Sequence, residues 1–151
     1  MIHPAPTTPL APGLARGVLV ESVPATATRL AYVKLSFANT SYVMHLLPTL
    51  PIKAEPGDKV FGTIHARARR VDVVPSGGKY VEPVIGRPRR VQGRVIGHVE
   101  VPGGDQLVID AGVPMHFTLV DARQHARDFA VGDLVSFDVL DGACFSPKAD
   151  G

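Results

Sequence analysis

The sequence predicts an all-β protein made of two similar halves. Three observations predict it: short valine-rich apolar runs, glycine and proline breaking those runs at close intervals, and an ordered set of internal repeats. The 151 residues are 45% hydrophobic and include 15 glycines and 14 prolines. β-Branched residues in short alternating stretches favour strands, and a chain of this length buries its core as one ordinary domain or two very small ones. "RGVLVESV" from Arg16 matches "GRVIGHVEV" from Gly93, "YVMHLL" from Tyr42 matches "VPMHFTLV" from Val113, and "PGDKVFGTI" from Pro56 matches "VGDLVSFDV" from Val131. Met44-His45 and Met115-His116 are 71 positions apart, and Gly57-Asp58 and Gly132-Asp133 are 75 apart. That small drift is a difference in loop length, and recurrence in register points to duplication of one supersecondary unit.

The elements follow in chain order. "MIHPAPTTPLAPG", residues 1–13, holds four prolines and reads as a flexible or extended arm. It has neither a basic start nor an apolar core, so no secretory signal is expected. The first half, 14–88, begins with strands at about 14–23, 29–37 and 41–47. "PTLPIKAEPG" then excludes a helix through its prolines, and the Gly57-Asp58 turn leads into a strand from Lys59. The second half, 89–142, repeats the plan with strands at about 90–101, 106–110 and 115–120. "DARQHARDF", Asp121 to Phe129, predicts a short helix capped by Asp121, and the Gly132-Asp133 turn opens a strand over Leu134 to Leu140. The remainder, 143–151, is short and polar and reads as a tail.

The strand "KVFGTIHARARRVDVV", Lys59 to Val74, carries the main functional clue. Successive side chains of a strand face opposite ways, so Val60, Gly62, Ile64, Ala66 and Ala68 share an apolar face. Phe61, Thr63, His65, Arg67 and Arg69 share the other. The alternation stumbles at Arg69-Arg70 and resumes with opposite parity at Val71 and Val73, the pattern of an inserted bulge.

Charge is polarised along the chain. Residues 1–64 hold five Lys/Arg against three Asp/Glu, residues 65–94 eight against two, and residues 95–151 three against nine, giving +2, +6 and −6. A basic centre followed by an acidic C-terminal part suggests a specific anionic partner. It also permits the arginines to pair with acids of the same chain.

Strand, strand, strand, short helix, Gly-Asp turn, strand resembles the oligonucleotide-binding barrel, the OB-fold, and the resemblance spans nearly all of residues 14–141. It implies a small, partly open Greek-key barrel in each half. The alternative is a single pseudo-symmetric barrel of interleaved halves, similar to double-psi and related cradle-loop barrels.

Function has to come from the site rather than the fold. Arg67, Arg69, Arg70, Lys79, Arg87, Arg89, Arg90 and Arg94 fall on neighbouring strands or their turns, flanked by Phe61 and Tyr80, with Thr63 and His65 in the same row. Guanidiniums grip phosphates through forked donors, and aromatic faces stack on unpaired bases. The expected ligand is therefore single-stranded DNA or RNA, bound without catalysis. With no helix-turn-helix, zinc module or basic helix, duplex DNA fits less well. The alternative use of the same arginines is a self-assembly module whose basic centre docks on the acidic C-terminal half of a second copy. The lone Cys144 lacks a nucleophile motif; His45 and His116, with His65 or His98, could ligate a metal, but duplication explains the matching positions of His45 and His116 more simply. "PSGGKY" lacks the spacing of a phosphate loop and reads as a hairpin tip. No catalytic residue, metal ligand or cofactor is assigned. No apolar run reaches the roughly 20 residues of a membrane span, and a cytoplasmic setting is expected from the absence of paired cysteines.

Overall fold

The computed structural model describes residues 13–102 and 104–148. The predicted arm, through residue 12, and the end of the tail, 149–151, lie outside the described residues. The chain is all-β and contains a closed five-stranded barrel. Its strands are β1 (Ala15–Val23), β2 (Tyr32–Phe37), β3 (Val43–Pro48), β4 (Lys59–Ala68), β5 (Asp72–Val73), β6 (Tyr80–Glu82), β7 (Ile85–Gly86), β8 (Arg90–Val99), β9 (Gln106–Asp110), β10 (Pro114–Leu119), β11 (Leu134–Asp138) and β12 (Cys144–Pro147).

The duplication is visible at atomic level in the two Gly-Asp turns. Gly57 and Gly132 have φ of 98° and 101°, a left-handed conformation that glycine adopts without a steric penalty. Gly57 N–H donates to Leu19 O at 2.8 Å and Gly132 N–H to Val95 O at 2.8 Å. The Asp58 carboxylate accepts from Glu55 N–H at 3.0 Å, and that of Asp133 from Ala130 N–H at 2.9 Å. Opposite each turn the first strand of the half carries a register shift, between Leu19 and Glu21 in β1 and between Val95 and Gly97 in β8. An extra residue there bends the strand so that it can pair on both edges.

The two halves are joined by exchanging their last strands. In the first ring β1 pairs with β2, β2 with β3, and β4 with β1, all antiparallel. The fifth position, between β3 and β4, is filled by β12 from the far end of the chain, parallel to β3 and antiparallel to β4. This order is compatible with an OB-like barrel. In the second ring β8 pairs with β9 and β11, and β9 with β10. Here the fifth position belongs to the C-terminal part of β4, whose residues His65 to Ala68 run parallel to β10. Arg69 N–H to Asp138 O and Leu140 N–H to Arg67 O close this ring against the end of β11. Thus β4 is the fourth strand of one ring and the fifth of the other, and the run from β11 to β12 does the reverse.

The alternation read from β4 is the one observed. Val60, Ile64, Ala66 and Ala68 are buried, and Gly62 leaves room for Phe145 and for the neighbouring backbone, since a Cβ there would lie 2.4 Å from Ser146 O. One continuous core runs through both rings. In the first it includes Leu35, Leu46 and Phe145; in the second the Phe117 and Phe137 rings meet edge to face at 4.6 Å. Between them Tyr42 OH donates to Ala111 O at 2.8 Å.

Three local expectations are corrected. The helix at 121–129 reduces to one 3₁₀ turn, Ala126–Asp128. Its first residues are held by other bonds: Asp121 accepts from the amide and side chain of Arg123, and the Gln124 amide pairs with both Val71 N–H and Val71 C=O. Such side-chain bonds compete with helix nucleation. The strand from Lys59 ends at Ala68, so the stumble at Arg69-Arg70 is a strand end and not a bulge; Val71 is buried and Val73 is exposed. The presumed tail contains β12, the strand that completes the first ring.

Candidate functional site

The residues of the basic centre sit on several elements of the fold. β4 presents Phe61, Thr63, His65 and Arg67 outward, with Arg69 exposed just beyond its end. Lys79, Tyr80, Arg90 and Arg94 instead lie on β8, or on β6 and the turn before it, where the 74–82 segment folds over the second ring before β7 pairs with β3 of the first. Gln92 fastens that segment, donating to Gly78 O at 2.8 Å, while Tyr80 OH donates to Gln92 Oε1 at 3.4 Å. Tyr80 is therefore engaged within the fold.

Most of the basic charges have partners from the same chain. Arg70 pairs with Asp72 at 3.5 Å, Lys79 with Asp110 at 2.6 Å, Arg90 with Asp138 at 2.7 Å, and Arg87 with Asp141. Arg90 also donates to Ser136 Oγ, and its pKa is raised by the hydrogen bond to Asp138. Burial works against ionisation of Asp110, but Lys79 and the Gly112 N–H outweigh it and hold that pKa below the usual range. Arg67 donates to Asp141 O and Arg94 to Gly132 O. Arg69 and Arg89 have no side-chain partner among the described residues. They flank the end of β11 from both sides, since Arg69 N–H donates to Asp138 O and Val139 N–H to Arg89 O. Arg67, Arg69, Arg87 and Arg89 are thus gathered about the crossover from β11 to β12, with Asp138 and Asp141 among them.

A groove of about 540 Å³ opens beside this crossover, on the outward face of β2 and β3. Its volume lies in the range of ligand sites, about 300–1,000 Å³. The β1–β2 loop supplies Thr28, Arg29 and Leu30; β2 supplies Tyr32; β3 supplies His45 and Leu47; Arg87 and residues 141–143 form the remaining wall. Strand alternation puts Tyr32 and His45 on the outer side, because Val33, Leu35, Met44 and Leu46 occupy the core. The two rings stack with centroids 5.1 Å apart and planes tilted by 31°. The Arg29 guanidinium lies over Tyr32, 5.3 Å from the ring centroid, within cation–π range. Burial lowers the His45 pKa, and the nearby Lys34 charge adds to the effect. His45 is therefore a neutral aromatic surface near pH 7. No family model matches the chain, and no curated protein matches it either.

Of the predicted site residues, only Arg87 lines this groove. Arg29 and Tyr32 are not among the residues expected from the sequence, and His45 enters there only as a candidate metal ligand. Their signal was present in "YVKLSF" and "YVMHLL", whose alternation leaves Tyr32 and His45 on the polar side. What the sequence does not display is that both segments lie next to Arg87 and Asp141.

The outward row continues from the groove across the sheet. Leu47 faces Cys144, Cys144 faces His65, and His65 faces His116 in successive strand pairings. The two imidazoles are 5.5 Å apart, and His116 Nε2 is 3.1 Å from Gly13 O. Burial lowers both pKa values and pushes the Cys144 thiol up, so the thiol stays protonated and is a poor nucleophile. Among the described residues, no group of three or more His, Cys, Asp or Glu side chains is placed to hold a metal ion, and no helix is long and apolar enough to cross a membrane.

Proposed function

We propose that the protein binds single-stranded nucleic acid in the groove over β2 and β3, with the strand continuing over the arginines at the β11–β12 crossover. The observation that carries this reading is the stack of Arg29, Tyr32 and His45 in a groove whose far wall holds Arg87. Stacked rings offer a platform to any base, while guanidiniums on either side are spaced along a backbone path. In OB-like barrels the corresponding face and adjoining loops bind oligonucleotides, and the strand order of the first ring is compatible with that architecture. Base stacking replaces the contact of Arg29 with Tyr32, and the released guanidinium is then available to a phosphate.

The self-assembly reading has less support. Asp110, Asp138 and Asp141, three acids of the C-terminal half, are already engaged by Lys79, Arg90 and Arg87 of the same chain. Fluorescence anisotropy with a 15-nucleotide oligo(dT) tests the nucleic-acid reading. Four or five phosphate contacts give a slope of log affinity against log salt of roughly −3. Tyr32→Ala weakens binding by about 5- to 150-fold, the equivalent of about 1–3 kcal/mol of stacking. Arg94→Ala leaves it unchanged. Absence of binding at low salt to any homopolymer, or equal affinity of Tyr32→Ala and the unsubstituted protein, removes the reading.

A further inference from the structure

We propose that Asp141 is a built-in competitor for the ligand's phosphate: its carboxylate occupies the anion seat of the groove and has to be displaced when a nucleic acid binds. The inference rests on the proposed function and adds its control. Two guanidiniums converge on this one residue from different elements. Arg87 pairs with the carboxylate, and Arg67 of β4 donates to the carbonyl oxygen at 3.0 Å. Gly142, with φ of 100°, turns the chain immediately afterwards and so fixes where Asp141 stands on the groove wall.

Asp141 differs from Asp110 and Asp138 in how loosely it is held. Asp110 is held by Lys79 and also accepts from Gly112 N–H, and the partner of Asp138, Arg90, is anchored a second time by Ser136. The Asp141 carboxylate has Arg87 as its one partner among the described residues, and its side chain is 84% exposed. An exposed ion pair of this kind contributes little to stability, so breaking it costs the fold little. A phosphate entering beside Arg87 recovers the same charge-assisted bonds in forked geometry. The seat is thus electrically satisfied when empty of ligand. A simple anion gains almost nothing by exchanging with the carboxylate. An anion carrying an aromatic base gains the stack on Tyr32 and His45 as well, so the competitor selects nucleotide units over free phosphate.

The test compares Asp141→Asn with the unsubstituted protein, using oligo(dT) of 15 nucleotides and inorganic pyrophosphate as probes, each across a salt series. Asp141→Asn keeps the shape and removes the charge. It is expected to bind oligo(dT) about 3- to 10-fold tighter, with a slope steeper by about 0.7, one more phosphate engaged. It is also expected to bind pyrophosphate where the unsubstituted protein does not. Introduced into Arg87→Gln, the same change should give no gain, because the seat is then missing. Equal or weaker binding of both probes by Asp141→Asn overturns the inference. So does a gain that survives in Arg87→Gln, which would be a general charge effect. A pyrophosphate gain without oligo(dT) binding by either protein supports the anion seat and removes the nucleic-acid reading. Oligo(dT) binding that is identical in both proteins, with no pyrophosphate gain, leaves the nucleic-acid reading and removes the competitor. Melting curves for each variant confirm that folded proteins are compared.

Discussion

Replacing Phe145 by Ala tests whether β12 is a working stave of the first ring. Phe145 has no exposed surface, and its burial contributes about 3 kcal/mol by transfer from water alone. Truncation adds the cost of a cavity, for a total of about 3–5 kcal/mol. The upper half of that range applies because Gly62, the residue against the ring, has no side chain to relax into the hole. Against a whole-domain stability of about 5–15 kcal/mol, the loss is readily measured by equilibrium unfolding in urea. The midpoint should fall with little change in slope, since the same surface is exposed on unfolding. Phe61→Ala is the control: Phe61 is on the outer face and 36% exposed, so its truncation should cost much less. A loss below about 1 kcal/mol for Phe145→Ala, within the ordinary run of point substitutions, would refute the placement of β12 between β3 and β4.

Two further outcomes follow from the parity of β4 and from the histidines. Ala68→Arg forces a charge into a fully buried site and should give an unfolded or insoluble chain, whereas Arg67→Ala with Arg69→Ala should cost less than about 1 kcal/mol; melting curves that reverse this order would invert the face assignment. His45, His65 and His116 all have folded-state pKa values lowered below 6.5 by burial, so the unfolded chain binds more protons between those values and 6.5. Stability should be full above about pH 6.5 and fall as the pH drops through that window, levelling off below the folded values. A melting temperature that is flat from pH 8 to 5, or a slope untouched by His65→Gln, would contradict the assignment.

What could be read from the sequence was whatever depends on local alternation and on repetition. The face assignment of Val60 to Ala68 needs only a period of two, and the Gly57-Asp58 and Gly132-Asp133 turns announce themselves twice. The failures share a different cause. β12 is four residues long, and its partners Leu47 and His65 are some eighty to one hundred positions away, so nothing local marks it as a strand. The 121–129 segment has good helix formers, but Gln124 is claimed by Val71 from another element. The arginines are clustered in sequence, and the fold spreads them over β4, β8 and the loops beside them. The groove joins four separate segments, and no single stretch of sequence contains it.

The exchange of fifth strands also determines what the chain's boundaries mean. Although residues 14–88 and 89–142 repeat one plan, cutting between them would leave the first ring without β12 and the second without the end of β4. Each piece would expose two open edges of the kind that pair with whatever strand is available. Two copies of one piece could satisfy both vacancies by lending each other their terminal strands, as domain-swapped dimers do. Such a dimer would dissociate on dilution. Joining the copies through the 74–89 connection makes the loan internal, and folding no longer depends on concentration. The repeat is therefore a unit of pattern and not a unit of folding: the smallest piece of this chain that can close a barrel contains both halves.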